Sequence, residues 1–301
     1  MKCINDIGED ALIARLLAQL PPAPLSLNVG PGDDCAVVPF STTTWQLLKT
    51  DAIVEEVHFL SNEKMRRVGW KAIARVVSDF AAMGGAPQWF LVTLGIPSEA
   101  SVNSLVDLYQ GMADCLQKFG ATMVGGETSR VESATGLVIS IAATGTVKKK
   151  HLLLRSTARC DDLIFVTGQL GGSLAGRHLD IEPRLAEGQW LAQQHFATAM
   201  MDLSDGLAKD LPRLAKASSI GFVIDLDQIP RTPGRTVSHA LQDGEDYELL
   251  FTVAPADAKR LMKKWQKFFP ATKLTCIGRI VPSGQSMELS GGWDHFPSRK
   301  R

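Results

Sequence analysis

Five stretches of the chain share one local signature, a carboxylate flanked by Gly, Ser or Thr where an apolar run gives out. They are Gly32-Asp33-Asp34, Thr50-Asp51, Ser78-Asp79, Gly126-Glu127-Thr128 and Asp202-Leu203-Ser204-Asp205-Gly206. Taken singly, each has a plain reading. Asp-Gly and Ser-Asp are turn and cap residues, and Asp79 can pair with Arg75 one helical turn earlier. Their recurrence across both halves reads differently, as one site assembled from strand ends. Two carboxylates ~5 Å apart repel by ~3 kcal/mol at an effective dielectric of ~20, so several cannot converge ionised without cations. Hard oxygen donors suit Mg²⁺, which usually bridges substrate phosphates. Glycine neighbours let backbone N–H groups approach phosphate oxygens, and a helix opening at Ser204 offers an anion site. These residue types point to Mg²⁺-assisted phosphoryl transfer from a nucleotide. The P-loop, Rossmann, H-E-x-x-H and G-x-S-x-G patterns are all absent.

The elements that must position these acids follow from periodicity. Ala11 to Leu20 is helical in pattern and stops at Pro21-Pro22. Cys35 to Phe40 reads as a strand, and Trp45 to Lys49 as a second, ending at Thr50-Asp51. Val68 to Met83 is a helix whose Ile73, Val76, Val77 and Phe80 recur at helical spacing. Trp89 to Leu94 is a strand, Ser101 to Phe119 an amphipathic helix capped by Gly120, and Leu137 to Val147 a strand. The apolar pattern lapses at Lys148-Lys149-Lys150-His151, which places a domain boundary there: 1–148 and 149–301. In the second half, Leu163–Thr167, Phe222–Leu226, Glu248–Val253 and Cys276–Val281 read as strands. Gln189–Ala199 and Pro255–Phe269 read as helices, and a further helix after Gly206 must accommodate Pro212. The mixture gives an α/β (α+β) class in two domains.

Composition bounds the remaining choices. A chain of 301 residues is about two domains at roughly 150 each. Lys plus Arg and Asp plus Glu are both 32, a net charge of zero that argues against a nucleic-acid coat. Five scattered cysteines with no C-x-x-C fit neither a disulfide framework nor a zinc ribbon, and suit a reducing, cytoplasmic compartment. Met1 to Asp10 lacks an apolar signal core. No apolar run approaches the ~18 residues a membrane span needs.

Longer motifs carry a family resemblance. Gly32-Asp33-Asp34-Cys35-Ala36, Thr50-Asp51 followed by Val54-Glu55 and Val57-His58-Phe59, Gly69-Trp70-Lys71-Ala72 and Ser78-Asp79-Phe80-Ala81-Ala82-Met83-Gly84 occur in order. Gly125-Gly126-Glu127-Thr128, Val166-Thr167-Gly168, Asp202 to Leu207 and Gly244-Glu245-Asp246-Tyr247-Glu248-Leu249 follow. Together they resemble the thiamine-monophosphate kinase family of the aminoimidazole-ribonucleotide synthetase superfamily, from about Gly32 to Phe296. The resemblance implies an N-terminal domain that dimerises through its sheet and a C-terminal α/β domain. It implies a homodimer that binds ATP, Mg²⁺ and thiamine monophosphate and transfers a phosphoryl group directly, in line. By the same resemblance Asp34, Thr50, Asp51, Asp79, Glu127, Asp202 and Asp205 are metal ligands, with Asp51, Asp79 and Asp205 the catalytic acids. Gly126, Glu127, Arg155 and Ser204 are ATP contacts, and His58, Glu245 and Trp293 face the substrate. Tyr109 reads as helix packing, with adenine contact as the second reading.

The chain departs from the family pattern at several points. Glu127 stands where Asp is usual, Lys49 where Ser or Thr precedes the Thr-Asp pair, Gly172 where Asp is usual and Asp243 where Gly is usual. The segment between Gly176 and Arg177-His178-Leu179 is shortened. On a strand, residues 49 and 51 point to one face, so the Lys49 ammonium is expected to take the place of one metal's charge. Two other functions stay open: another ATP-dependent small-molecule enzyme of the superfamily, and a nucleotide- or thiamine-phosphate-binding homologue that has lost turnover.

Overall fold

A computed structural model describes residues 3–24 and 27–296. The first two residues of the Met1–Asp10 stretch and the last five of the 149–301 segment lie outside the described residues.

After α1 (Glu9–Leu17), β1 (Ala36–Pro39) and β2 (Thr44–Val54) form a hairpin with Ala36 opposite Leu48. Next come α2 (Met65–Ala82), β3 (Ala86–Pro97), α3 (Val102–Phe119), β4 (Thr122–Val131) and β5 (Val138–Lys148). Their strand order is β1-β2-β5-β3-β4, antiparallel except for the parallel β3–β4 pair. Side chains alternate across this sheet as the pleat requires. Leu47, Ile53, Phe90, Val92, Leu94, Ile139 and Ile141 are buried on the face covered by α2. Leu48, Trp89, Leu91 and Val124 are exposed on the other. The α2 and α3 backbones nearly touch: a Cβ on Gly69 would meet the Leu108 carbonyl oxygen at 1.9 Å, and one on Gly111 would meet that of Arg66 at 1.8 Å.

The second sheet uses β6 (Leu163–Thr167), β7 (Ala197–Asp202), β8 (Gly221–Ile224), β9 (Leu249–Val253) and β10 (Leu274–Val281). Between them lie α4 (Leu185–Gln193), α5 (Leu207–Ala217), α6 (Val237–Gln242) and α7 (Pro255–Phe268). The order is β7-β9-β6-β10-β8, antiparallel throughout. One apolar core runs without a break from the first sheet through α2 to Leu191, Phe251 and Trp265, while a second fills the space under α5. Helix α2 packs on α3, α4, β2 and β7, so it stands at the seam of the two halves.

Three expectations are corrected. The strand from Trp45 does not end at Thr50-Asp51, because β5 pairs with every residue from Thr44 to Val54. Asp51 is therefore mid-strand, Asp79 lies in the last turn of α2 and Glu127 lies within β4, so the acids do not all sit at strand ends. The helix expected over Gln189–Ala199 is two elements. α4 stops at Gln193, His195 turns the chain at φ 52°, and Ala197 starts β7. Pairing with the fully buried β9 overrides the weak strand preference of Ala-Thr-Ala-Met-Met. Helix α5 runs through Pro212 without a break in its assigned span.

Candidate active site

Helix α2 presents Lys71, Arg75, Ser78 and Asp79 at four-residue and three-residue steps, which places them on one face. Asp34, from the loop before β1, and Asp202, at the end of β7, meet Asp79 there. The three carboxylates offer oxygens that all lie within 4.8 Å of one another, and their exposures are 2%, 3% and 6% for Asp34, Asp202 and Asp79. Each has a donor of its own. Arg155 forks onto Asp34, Ser78 Oγ donates to Asp202 at 2.6 Å, and Lys49 Nζ donates to Asp79 at 2.7 Å. The Asp79–Arg75 pair expected within the helix does not form. Asp79 takes the strand lysine, and Arg75 reaches across to Asp51, 3.2 Å away.

Burial dominates the electrostatics. It pushes Asp202 up to about 6, with the neighbouring Asp34 charge adding to the effect. Asp79 is pushed well above its ordinary value by burial, against the pull of Lys49. For Lys49 burial works downward, and the charges of Asp79 and Asp51 more than offset it, so the ammonium is held above its usual range.

Beside this cluster opens a cavity of about 610 Å³. Of the sequence-selected residues, the acids Asp51, Asp79, Asp202 and Asp205 line it, as do Ser204, His58, Glu245 and Trp293. Thr50 does not join them: it is on the opposite face of β2, where its hydroxyl donates to the Ile141 carbonyl at 3.0 Å. Gly126 and Glu127 lie on the exposed edge strand β4 and share a separate depression of about 570 Å³ with Tyr109. Arg155 does not line the cavity; it bonds Asp34 of the three-carboxylate cluster, and its backbone N–H donates to Asp33 at 3.1 Å.

The Glu245-Asp246-Tyr247-Glu248 motif divides its work by alternation. Glu245 and Tyr247 face the cavity, both with left-handed backbone at φ 53° and 50°. Asp246 and Glu248 turn inward and hold the C-terminal half together. Asp246 accepts from the Gly171 N–H and Arg177, and Glu248 accepts from Thr167 and Arg184. Glycine is required at 168, where a Cβ would sit 1.9 Å from the Glu248 carboxylate. Two departures from the family pattern meet nearby. The Gly172 N–H donates to the Asp243 carboxylate at 2.7 Å.

Lys71 is fully buried and bonds Glu245 at 2.5 Å, the His58 carbonyl at 2.6 Å and His178 Nδ1 at 2.8 Å. Burial lowers its ammonium to about 8. Burial alone would raise Glu245, but His178, Lys71 and Arg75 outweigh it and hold the carboxyl at about 2. His58 Nδ1 accepts from the Val54 N–H at 3.0 Å, and burial with the Arg75 charge brings the imidazole down to about 4. It is neutral at pH 7.

The helix opening near Ser204 differs from expectation. α5 begins at Leu207, and the N–H groups of Asp205 and Gly206 are taken by the buried Asp210 carboxylate at 2.9 and 3.1 Å. They are not free for a phosphate. Asp205 itself pairs with Arg213 at 2.6 Å and Lys209 at 3.3 Å. Trp293 is tied over this turn by its N–H to the Asp205 carbonyl, 2.8 Å, and by Lys209 to its own carbonyl.

Sequence reading missed Arg75, His178 and Tyr247 as cavity residues, and Lys71 as the buried cation behind Glu245 and His178. The signal for Lys71 and Arg75 was present: charges at 71, 75 and 79 step by four residues and mark one helix face inside an otherwise apolar segment. Nothing local marked His178, which arrives from the turn after Gly176.

Hard carboxylate oxygens at this spacing suit one Mg²⁺ or Mn²⁺. The ion competes with the Asp202 proton. Because the folded pKa, about 6, exceeds the ordinary 3.8, the folded chain holds that proton more tightly than the unfolded one. This contribution is complete below pH ~4 and is lost as pH rises through ~6. The rise in Tm caused by Mn²⁺ is therefore expected to be smaller at pH 5 than at pH 7.5. A rise independent of pH, measured by calorimetry, would contradict this assignment of ligands.

Comparisons with known proteins agree with this geometry. The family described as AIR synthase related protein, N-terminal domain, matches residues 32–147, and its C-terminal domain counterpart matches residues 131–288. The thiamine-monophosphate kinase of Rhodopirellula baltica is 38% identical over 291 residues, covering 91% of this chain and 89% of that protein. The one from Escherichia coli K12 is 32% identical over 96% of this chain and 98% of its own. The solved structure of AaThiL complexed with AMPPCP and TMP superposes with a TM-score of 0.83 at 30% identity, covering 98% of this chain and 99% of that one. With the motifs, the fold and the acid cluster in agreement, the chain belongs to the thiamine-monophosphate kinase family of AIR synthase related proteins.

Proposed function

We propose that this chain phosphorylates thiamine monophosphate with ATP. A bond forms between an oxygen of the acceptor phosphate and the γ-phosphorus, and the bond from that phosphorus to the β–γ bridging oxygen breaks, so that thiamine diphosphate and ADP leave. The observation that carries the reading is the meeting of Asp34, Asp79 and Asp202 within 4.8 Å beside a cavity of about 610 Å³. The acceptor oxygen is already largely deprotonated at neutral pH. Alignment and charge neutralisation, not a strong general base, carry the rate.

In this reading Asp34, Asp79 and Asp202 hold Mg²⁺, which when bound neutralises charge on the phosphates. Asp51 and Asp205 shape the polar wall, and Ser204 contacts the nucleotide. Glu245 and His58 face the thiamine monophosphate. The Trp293 ring, 42% exposed at the cavity, faces the cationic heterocycle, a contact of about 1 kcal/mol. Gly126, Glu127 and Thr50 belong to the nucleotide and metal only if a second copy or a bound nucleotide connects β4 and the outer sheet face to the cavity. The exposed apolar face of Leu48, Trp89, Leu91 and Val124 supports a homodimer formed through the N-terminal sheet. Segment 1–148 is then the ATP, Mg²⁺ and dimerisation domain, 149–301 its C-terminal partner, and the setting cytoplasmic. A binding-only homologue is the second reading, favoured by the ammonium already seated on Asp79.

Incubation with MgATP and thiamine monophosphate is expected to yield thiamine diphosphate. Nucleotide at 100 times its dissociation constant should add about 2.7 kcal/mol of stability in the presence of Mg²⁺. Nucleotide binding with no product would select the binding-only reading, and neither binding nor product would reject both.

A further inference from the structure

We propose that Arg75 and Lys49 are built-in cations of the phosphoryl-transfer centre. They do at Asp51 and Asp79 what a second divalent ion would do, and Arg75 holds a phosphate group directly. The inference rests on the kinase reading above and extends it to how the charge is neutralised.

The geometry is reciprocal. β2 supplies a cation and an acid, Lys49 and Asp51, on one face of the strand. α2 supplies a cation and an acid, Arg75 and Asp79, one helical turn apart. Each cation bonds the other element's acid: Lys49 Nζ to Asp79 at 2.7 Å, and Arg75 Nη2 to Asp51 at 3.2 Å. All four line the cavity. Asp79, a member of the three-carboxylate cluster, and Asp51 beside it thus meet a protein ammonium and a guanidinium before any ion arrives, and Asp34 and Asp202 complete the cluster that one ion would occupy.

Arg75 goes further than neutralising Asp51. Its Nε and Nη1 are buried and have no hydrogen-bond partner. Buried donors of this kind are rare because leaving them unsatisfied is costly, and these belong to a side chain that lines the cavity, where an acceptor would satisfy them. The Tyr247 ring lies 6.0 Å from the guanidinium carbon on another side. A guanidinium with one nitrogen on a carboxylate and two others free has the connectivity of a metal ion that bridges carboxylate and phosphate. Its planar fork also matches phosphate oxygens. A purely structural pair would need only the Asp51 contact.

The test counts metal as well as turnover. Mn²⁺ is titrated into the wild type and the Lys49→Ser/Arg75→Val variant, with and without a non-hydrolysable ATP analogue, and free Mn²⁺ is followed by electron paramagnetic resonance. The variant is expected to bind at least one more Mn²⁺ per chain and, without divalent ion, to bind the analogue about tenfold or more weakly. Equal Mn²⁺ counts and equal metal-free affinity, with the analogue bound by both proteins, would overturn this inference alone. Failure of both proteins to bind the analogue would overturn the kinase reading and the phosphate contact with it. If the variant does not fold, a wild-type crystal soaked with Mn²⁺ and the analogue decides. Arg75 on a phosphate, with no Mn²⁺ on Asp51, supports the inference. Mn²⁺ joining Asp51 to a phosphate, with Arg75 turned away, overturns it.

Discussion

Asp202→Asn is expected to lower kcat for thiamine diphosphate formation by about 10²–10³-fold, the usual scale when one element of transition-state charge stabilisation is removed. Asp202 is the cleanest acid of the cluster to test. Its hydrogen bond from Ser78, 2.6 Å, survives because the asparagine carbonyl oxygen accepts as the carboxylate did. Asp79→Asn would instead leave the Lys49 ammonium without its carboxylate, which mixes a metal effect with an unpaired buried charge. Stability should move the opposite way from activity. Burial already disfavours the ionised form of Asp202, so the neutral amide relieves that penalty and the metal-free variant should melt no lower than the wild type above pH 6. Its Mn²⁺-induced rise in Tm should shrink. A variant with kcat within tenfold of the wild type would remove Asp202 from the centre.

That acids so far apart in sequence converge was legible because each carries small polar neighbours, a pattern that survives without coordinates. What holds them was less so. Mid-strand Asp51 and helical Asp79 show that an acid lining the cavity need not sit in a turn, and the strand reading stopped short at Thr50 because Thr-Asp resembles a turn signal when its β5 partner is unknown. Local pairing rules put Arg75 with Asp79. Tertiary structure offered each a partner on β2, and the i, i−4 bond, worth only about 0.2–0.5 kcal/mol, lost. The β7 strand was hidden for the same kind of reason, since its identity comes from β9 beside it. Thr50, Gly126 and Glu127 show the remaining gap: they lie outside the cavity, because motif spacing does not fix which face of a strand or which edge of a sheet a residue occupies.

Lys71→Met is expected to cost about 3–5 kcal/mol, the scale for removing one partner of a buried ion pair, and to lower Tm by roughly 10 °C. The lysine is fully buried in α2, yet its three bonds end on both halves: the His58 carbonyl on one side, His178 and Glu245 on the other. The methionine fills the same volume, so little is lost in packing. What remains is Glu245, ionised and inside, with His178 and Arg75 as its remaining support. The attribution is checked by a cycle. Glu245→Gln alone strands the Lys71 ammonium and should also destabilise, whereas Lys71→Met/Glu245→Gln removes both charges and should recover most of the loss, a coupling of about 2 kcal/mol or more. Urea midpoints at constant m-value measure it. Additive losses in the double variant would mean that Lys71 stabilises through its stem and the His58 carbonyl, and that the charge pair across the seam contributes nothing.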